Sequence, residues 1–186
     1  MPGAPRTPLF DFDGTLIDSD AALTAPWQVL GVDPALVPLG LPLGEACAVA
    51  GVTLAAYLEH YDPARAQPFP GVPELLAGLA CWGLASNKDR TSGRRELARL
   101  GWSPEVALFS DDFGGHEKQL GPLLEALRLE PAGAIFVGDT AHDRACAALA
   151  GVPFALAGWN PRALAGAQPG DLVLYDPASV LDHLYR

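Results

Sequence analysis

Residues Leu9–Leu16 read LFDFDGTL. Two carboxylates, Asp11 and Asp13, stand one residue apart where an apolar run meets a glycine turn. An ordinary buried strand does not end this way, because adjacent acids repel and lose hydration. The run that carries them, PLFDF at 8–12, is the first of six. WGLAS follows at 82–86, VALFS at 106–110, AIFVG at 134–138, VPFALA at 152–157 and LVLYD at 172–176. None alternates cleanly between apolar and polar residues, so each reads as a strand covered on both faces.

Helical patterns lie between these runs. VPELLAGLA at 72–80 opens with Pro73 in its first turn, where the missing N–H costs nothing. RRELARLG at 94–101 and HDRACAALAG at 142–151 both stop on glycine. Leu120, Leu123, Leu124 and Leu127 follow the ladder of a helix packed on a sheet. Strand–helix alternation of this kind predicts an α/β fold, a three-layer doubly wound parallel sheet. Residues 18–67 break the rhythm. Pro26, Pro34, Pro38 and Pro42, with Gly31, Gly40 and Gly44, rule out a long helix in the first half of that segment. Two short helices are expected at 43–50 and 53–61, the second capped by Thr53. The chain therefore divides into a core, 1–17 with 68–186, and a small helical insertion at 18–67. No internal repeat is visible.

Composition narrows the function. A chain of 186 residues, 49% of them apolar, suits one domain or one with a modest insertion. A net charge of −10 argues against a nucleic-acid surface, but leaves room for a small phosphorylated ligand held by a metal ion and local donors. Cys47, Cys81 and Cys146 are odd in number and fit neither a zinc site nor a disulfide framework, which favours a reducing cytoplasm. No apolar run approaches membrane-spanning length, and MPGAPRTP lacks the layout of a signal peptide. The expected setting is cytoplasmic, with no membrane partner. Nothing in the sequence sets the oligomeric state.

In a parallel sheet, ligands sit beyond the carboxyl ends of the strands. The polar residues found there are Asp11, Asp13, Gly14 and Thr15 after the first run, then Ser86, Asn87 and Lys88 after the second. Lys118 follows the third, and Asp139 and Asp143 follow the fourth. Carboxylates converging on one rim need a positive partner, since two charges ~4 Å apart repel by about 4 kcal/mol at an effective dielectric of ~20. Mg²⁺ suits hard oxygen ligands with open positions, and Lys118 supplies a second positive charge. Plainer roles exist for each residue. Asp139 or Thr140 could cap the next helix with Asp143 as its capping-box acid, and Ser86-Asn87 could be an ordinary turn. Lys118 alone could be a solvated helix residue. Arg94, Arg95 and Arg99 read as a solvated helix face, and His142 as an exposed residue of a first helical turn. HEKQL at 116–120 lacks the second histidine of a zinc-protease helix. Trp159, beside Asn160-Pro161, reads as loop packing.

Taken in order, DFDGTLIDS (11–19), SNK (86–88), Lys118 and GDTAHD (138–143) resemble the four motifs of the haloacid dehalogenase-like (HAD) hydrolase superfamily. PFPGVPELLAGL and GVPFALAGWNP further resemble connecting segments of its phosphoglycolate phosphatase-like branch, and the likeness covers nearly the whole chain. It implies a HAD-like, Rossmann-type sheet with a small helical cap inserted after the first strand. Asp11 would be the nucleophile and Asp13 the general acid/base. Ser86, Asn87 and Lys118 would bind the phosphate. Mg²⁺ would be held by Asp11, the Asp13 carbonyl and Asp139, with Asp143 supporting. The implied activity is Mg²⁺-dependent hydrolysis of a small phosphorylated metabolite through an aspartyl phosphate. Two features depart from the branch. Lys118 is followed by Gln119 rather than proline, and the short insertion carries one basic residue, Arg65, against six acids. Phosphoglycolate itself is therefore not carried over as the substrate. A dehalogenase needs no second acid in its first motif, so Asp13 favours phosphate chemistry. A sugar-phosphate mutase is an alternative, although this acidic insertion offers little to a phosphorylated acceptor. A receiver domain does not match the order of the motifs, and a non-catalytic binding protein would be expected to have lost one of their residues.

Overall fold

The computed structural model describes residues 5–37, 41–114 and 116–185. The run before Asp11 forms β1 (Thr7–Phe10), followed by a short strand β2 (Ile17–Asp18). A second short strand, β3 (Gln67–Pro68), pairs antiparallel with β2. The remaining runs form β4 (Gly83–Ala85), β5 (Val106–Leu108), β6 (Ala134–Gly138), β7 (Phe154–Ala157) and β8 (Val173–Leu174). Six of these strands make one sheet in the order β5-β4-β1-β6-β7-β8, with every neighbouring pair parallel. The first strand is thus central, flanked by β4 and β6, and the order reverses around it. The last strand is shorter than its apolar run, since only 173–174 find a partner.

Side-chain alternation along these strands feeds two cores. Leu9 and Phe136 face one side, where they meet Leu120, Leu123 and Leu124 of α6 (Leu120–Leu127) and Cys146 and Ala147 of α7 (Ala141–Ala150). Phe10, Ile135 and Val137 face the other side, against Val72, Leu75 and Leu76 of α4 (Val72–Gly78) and Leu97 of α5 (Arg90–Leu100). A sheet buried on both faces needs apolar residues at nearly every position, which is why the strands read as unbroken runs. The three layers expected from the sequence are present. After β7, the short helix α8 (Pro161–Ala165) returns to the carboxyl edge.

Between β2 and β3 the chain makes a helical excursion: α1 (Asp20–Val29), α2 (Leu43–Ala50) and α3 (Leu54–His60). Trp27, Ala46, Cys47 and Tyr57 form a separate small core there. Thr53 caps α3 as expected, its hydroxyl accepting from the Ala56 N–H at 3.2 Å. The first half differs from the expectation. α1 runs for ten residues straight through Pro26. Proline inside a helix costs about 3 kcal/mol, mainly through a lost N–H bond and a clash one turn back. Burial of Ala22, Pro26 and Trp27 offsets that cost. Pro38 and Gly40 lie outside the described residues. Cys47 and Cys146 are buried, Cys81 is exposed, and all three are free thiols. Among the described residues, no helix is long and apolar enough to cross a membrane.

The packing of α5 on the sheet gives a test. Gly93 lies against the ring of Phe109, and a methyl group at Gly93 would overlap that ring. Alanine is the better helix former by about 1 kcal/mol, but overpacking typically costs about 1–3 kcal/mol. Gly93→Ala should therefore lower the melting temperature by a few degrees, at about 2–4 °C per kcal/mol for a chain of this size. A rise would mean that α5 does not sit where the structure places it.

Candidate active site

Three strand ends build the site. β1 delivers Asp11, whose N–H still pairs with the Val137 carbonyl at 2.9 Å, so the residue is fixed by the sheet itself. β4 delivers Ser86, Asn87 and Lys88, all buried. β6 delivers Asp139, and α7 adds Asp143 one helical turn later. Oxygens of Asp11, Asp139 and Asp143 lie within 4.8 Å of one another. Lys118 enters from the loop before α6, and its ammonium group donates to Asp11 Oδ1 and forms an ion pair with Asp143 Oδ1.

The surrounding backbone holds these groups in place. Asn87 Oδ1 accepts from the Lys118 N–H at 2.6 Å, and the Cys146 thiol donates to the Lys118 carbonyl at 3.2 Å. At least one atom of Asn87 thus works on the lysine loop. Asp143 does what a capping role requires and more. Its Oδ2 accepts from the N–H groups of Asp139 and Thr140 at 3.1 and 2.9 Å, and from the Thr140 hydroxyl at 2.6 Å. The capping box and the acid cluster are therefore one arrangement, with Oδ2 serving the helix and Oδ1 serving Lys118. Thr15 donates to Asp139 Oδ1 at 3.3 Å.

Gly14 has a role that the sequence did not reveal. Its φ is +80°, and a methyl group there would overlap the Asp139 carboxylate. The glycine makes room for a second strand's acid, and the left-handed backbone excludes most other residues. The loop that holds it is braced from the far side. Asn160 Nδ2 donates to the Gly14 carbonyl at 2.8 Å, and Trp159 Nε1 donates to the Thr15 carbonyl at 2.9 Å. Trp159 is therefore a brace of the first loop as well as loop packing. A polar Trp-Asn pair directly after an apolar strand was the available signal.

Asp13 is not part of the acid cluster. Its carboxylate is partly exposed and takes both oxygens to Lys88 Nζ, at 2.8 and 3.1 Å. Lys88 in turn faces Glu96 Oε2 at 3.1 Å. Glu96 is fully buried on α5. An acid on the apolar face of RRELARL, in step with Leu97 and Leu100, was the sequence signal for it. His142 is half-buried rather than exposed, and its Nδ1 lies 3.7 Å from Glu117. Arg94 and Arg95 are exposed as expected, while Arg99 donates to the Ala66 carbonyl.

Electrostatics follow from burial. Asp11 is pushed up to about 7, first by loss of solvent and then by the charges of Asp143 and Asp13, against the opposing pull of Lys118. Burial, then the charges of Asp11 and Asp143, hold Asp139 well above the usual carboxylate range. Asp143 is also pushed up by burial, but Lys118 and the Thr140 hydrogen bonds outweigh it and hold the group low. Burial lowers Lys118, and Asp11 and Asp143 more than reverse this. Such a cluster resists full ionisation until a further positive charge joins it.

A parallel three-layer sheet with Asp11 at the end of its central strand and a buried lysine at its carboxyl edge has the architecture of a HAD-like hydrolase. The chain belongs to the haloacid dehalogenase-like hydrolase family. Residues 43–157 match that family's model, a span that includes Ser86, Lys118, Asp139 and Asp143 but begins after Asp11 and Asp13. A phosphoglycolate phosphatase of Xylella fastidiosa is 30% identical, over 85% of this chain and 82% of its own. An N-acetylmuramic acid 6-phosphate phosphatase of Pseudomonas aeruginosa is 27% identical, over 73% and 74%. A haloacid dehalogenase-like hydrolase of Streptococcus pneumoniae shares the fold with a TM-score of 0.72 at 23% identity, covering 96% of this chain and 97% of that one.

The cluster makes stability depend on pH. Asp11 ionises in the unfolded chain near its ordinary value of 3.8, but in the folded chain only near 7. Between those values the folded state binds more protons, so stability falls as pH rises. In metal-free buffer the melting temperature should decline from about pH 4 to about pH 7, and Asp11→Asn should flatten that decline. A wild-type profile that rises across the window would mean that Lys118 outweighs burial at Asp11 and that its value is not raised.

Proposed function

We propose that the protein is a Mg²⁺-dependent phosphatase that hydrolyses a small phosphomonoester through an aspartyl phosphate. The observation that carries this reading is the cluster of Asp11, Asp139 and Asp143 with Lys118, in which Asp11, Asp143 and the lysine are buried and Asn87 holds the lysine backbone. Three hard carboxylate oxygens in close range suit Mg²⁺ better than a soft-ligand metal. Asp11, Asp139 and the Asp13 carbonyl would hold the ion, and Asp143 would support it by fixing Asp139 and Lys118. When bound, the ion supplies positive charge that neutralises the acids and the phosphoryl oxygens.

The chain's own residues divide the reaction into two steps. Lys118 and the Ser86 hydroxyl orient the phosphoryl group, with Asn87 keeping the lysine loop in register. An Asp11 oxygen forms a bond to phosphorus as the bond to the alcohol oxygen breaks. Asp13, two residues on, gives that oxygen its proton. The same carboxylate then takes a proton from water, the water oxygen bonds to phosphorus, and inorganic phosphate leaves as Asp11 is restored. Two side chains on one short loop can take different roles because Asp11 is paired with Lys118 and Asp13 with Lys88.

The excursion at 18–67, with its own core, serves as the cap over this site. Its six acids and single arginine select an ester whose alcohol does not rely on that segment for cations. The two phosphatase relatives are named for phosphomonoesters of quite different alcohols, in keeping with a common phosphoryl centre and a variable cap. The partner is a small phosphorylated metabolite, met in the cytoplasm.

Hydrolysis of phosphomonoesters should disappear with EDTA and return with Mg²⁺. Asp11→Asn should abolish turnover, since a carboxamide of nearly the same shape is a poor nucleophile. Asp139→Ala should raise the Mg²⁺ concentration needed for half-maximal rate by about tenfold or more. Steady-state assays against Mg²⁺ titrations check all three. Full activity in a metal-free preparation would overturn the reading.

A further inference from the structure

We infer that Lys88 is a positioning residue for Asp13, anchored by Glu96 and Tyr61. The inference rests on the reading of Asp13 as general acid/base, and it assigns work to three residues which that reading leaves idle.

Lys88 Nζ donates to Asp13 Oδ1 and Oδ2 at 2.8 and 3.1 Å and meets Glu96 Oε2 at 3.1 Å. Asp13 takes hydrogen bonds from the ammonium group on both its oxygens, and Glu96 sets a buried negative charge against the same group. The lysine side chain is 3% exposed and the Glu96 side chain 0%. Glu96 Oε1 accepts from the Tyr61 hydroxyl. The Tyr61 ring also stands 5.0 Å from Lys88 Nζ, and the Phe12 ring 5.8 Å from it. Lys88 is thus held by a buried acid on one side and by aromatic rings on others, and its remaining reach is toward Asp13.

Stability does not account for this arrangement. A buried ion pair is often no better than apolar residues of the same volume. Orientation does account for it. Asp13 sits on a turn with its side chain 21% exposed, where a carboxylate would otherwise sample several rotamers. Lys88 restricts it to one region. The anchor also spans two parts of the molecule, because Glu96 belongs to α5 while Tyr61 follows α3 in the excursion. The placement of the excursion and the placement of the acid/base carboxyl are therefore joined through Lys88.

The test compares kcat/KM for p-nitrophenyl phosphate and for a simple alkyl phosphate at saturating Mg²⁺. This constant ends at departure of the alcohol, so it reports the acid step without the later base step. Asp13→Ala is the reference and should lose far more on the alkyl ester, whose leaving oxygen needs the proton. The double variant Lys88→Met/Glu96→Gln removes both buried charges together. It should lower the alkyl constant by about 10²-fold and the aryl constant by less than about tenfold. Tyr61→Phe keeps the ring and should show the same bias at smaller size. If the double variant fails a thermal-melt check of folding, Tyr61→Phe decides by the same criterion. Equal losses on both esters, with Asp13→Ala still selective, would overturn the positioning role. Equal losses in Asp13→Ala itself would overturn the acid/base reading and the inference with it.

Discussion

Lys118 reaches the carboxyl edge of the sheet from the loop before α6 and bonds carboxylates brought there by β1 and by the helix after β6. Three acids gathered around one cation, largely closed to water, are held against strong mutual repulsion. Removing one partner of a buried pair typically costs about 3–5 kcal/mol, because a lone charge stays behind. Much of the local structure keeps these groups together. Asn87 and Cys146 fix the lysine backbone, Thr140 fixes Asp143, Thr15 orients Asp139, and Gly14 gives way to it. The braces come from β4, α7 and the loop after β1, which the loop after β7 braces in turn. Sheet order and site are accordingly one problem, since no local segment could assemble this set alone.

The alternation of apolar runs and glycine-stopped helices was legible because both signals are local. β1, β4, β5, β6 and β7 fall within their quoted runs or begin one residue before them, and α7 ends at the glycine expected for it. α1 was not legible. Its proline argues against a helix locally, and burial of Ala22, Pro26 and Trp27 tips the balance the other way. Site residues sort the same way. Asp11, Asp139, Asp143 and Lys118 could be collected from the strand-end rule. Asp143 needed no choice between capping and site, because a carboxylate has two oxygens and uses one for each. The missed pairings run across long sequence separations. Lys88 to Asp13, Glu96 to Tyr61 and Asn160 to Gly14 are pairings that no spacing rule encodes.

Two carboxylates one residue apart can do different work because the strand ends between them. Asp11 is held in the sheet's hydrogen-bond pattern and points into the cluster, whereas Asp13 lies on the turn and is held by Lys88. Different partners allow different roles in one short loop, which acid/base chemistry beside a nucleophile requires. In the proposed reaction the phosphoryl centre makes no contact with the identity of the alcohol. Selection of the alcohol then falls to the excursion and to what it places over Asp13.

Whether Asp11 bonds covalently to phosphorus decides between the two ways this site could hydrolyse an ester. Water ends up in the released phosphate either way, so the position of an oxygen label does not separate them. The stereochemical course at phosphorus does. A thiophosphate monoester made chiral with ¹⁶O and ¹⁸O, hydrolysed in ¹⁷O-water with Mg²⁺ present, releases inorganic thiophosphate whose configuration can be read. An aspartyl phosphate on Asp11 requires two in-line displacements, each inverting phosphorus, so the expected result is net retention. Direct attack of water is a single displacement. Net inversion would contradict the covalent mechanism and leave Asp11 as a metal ligand rather than the nucleophile.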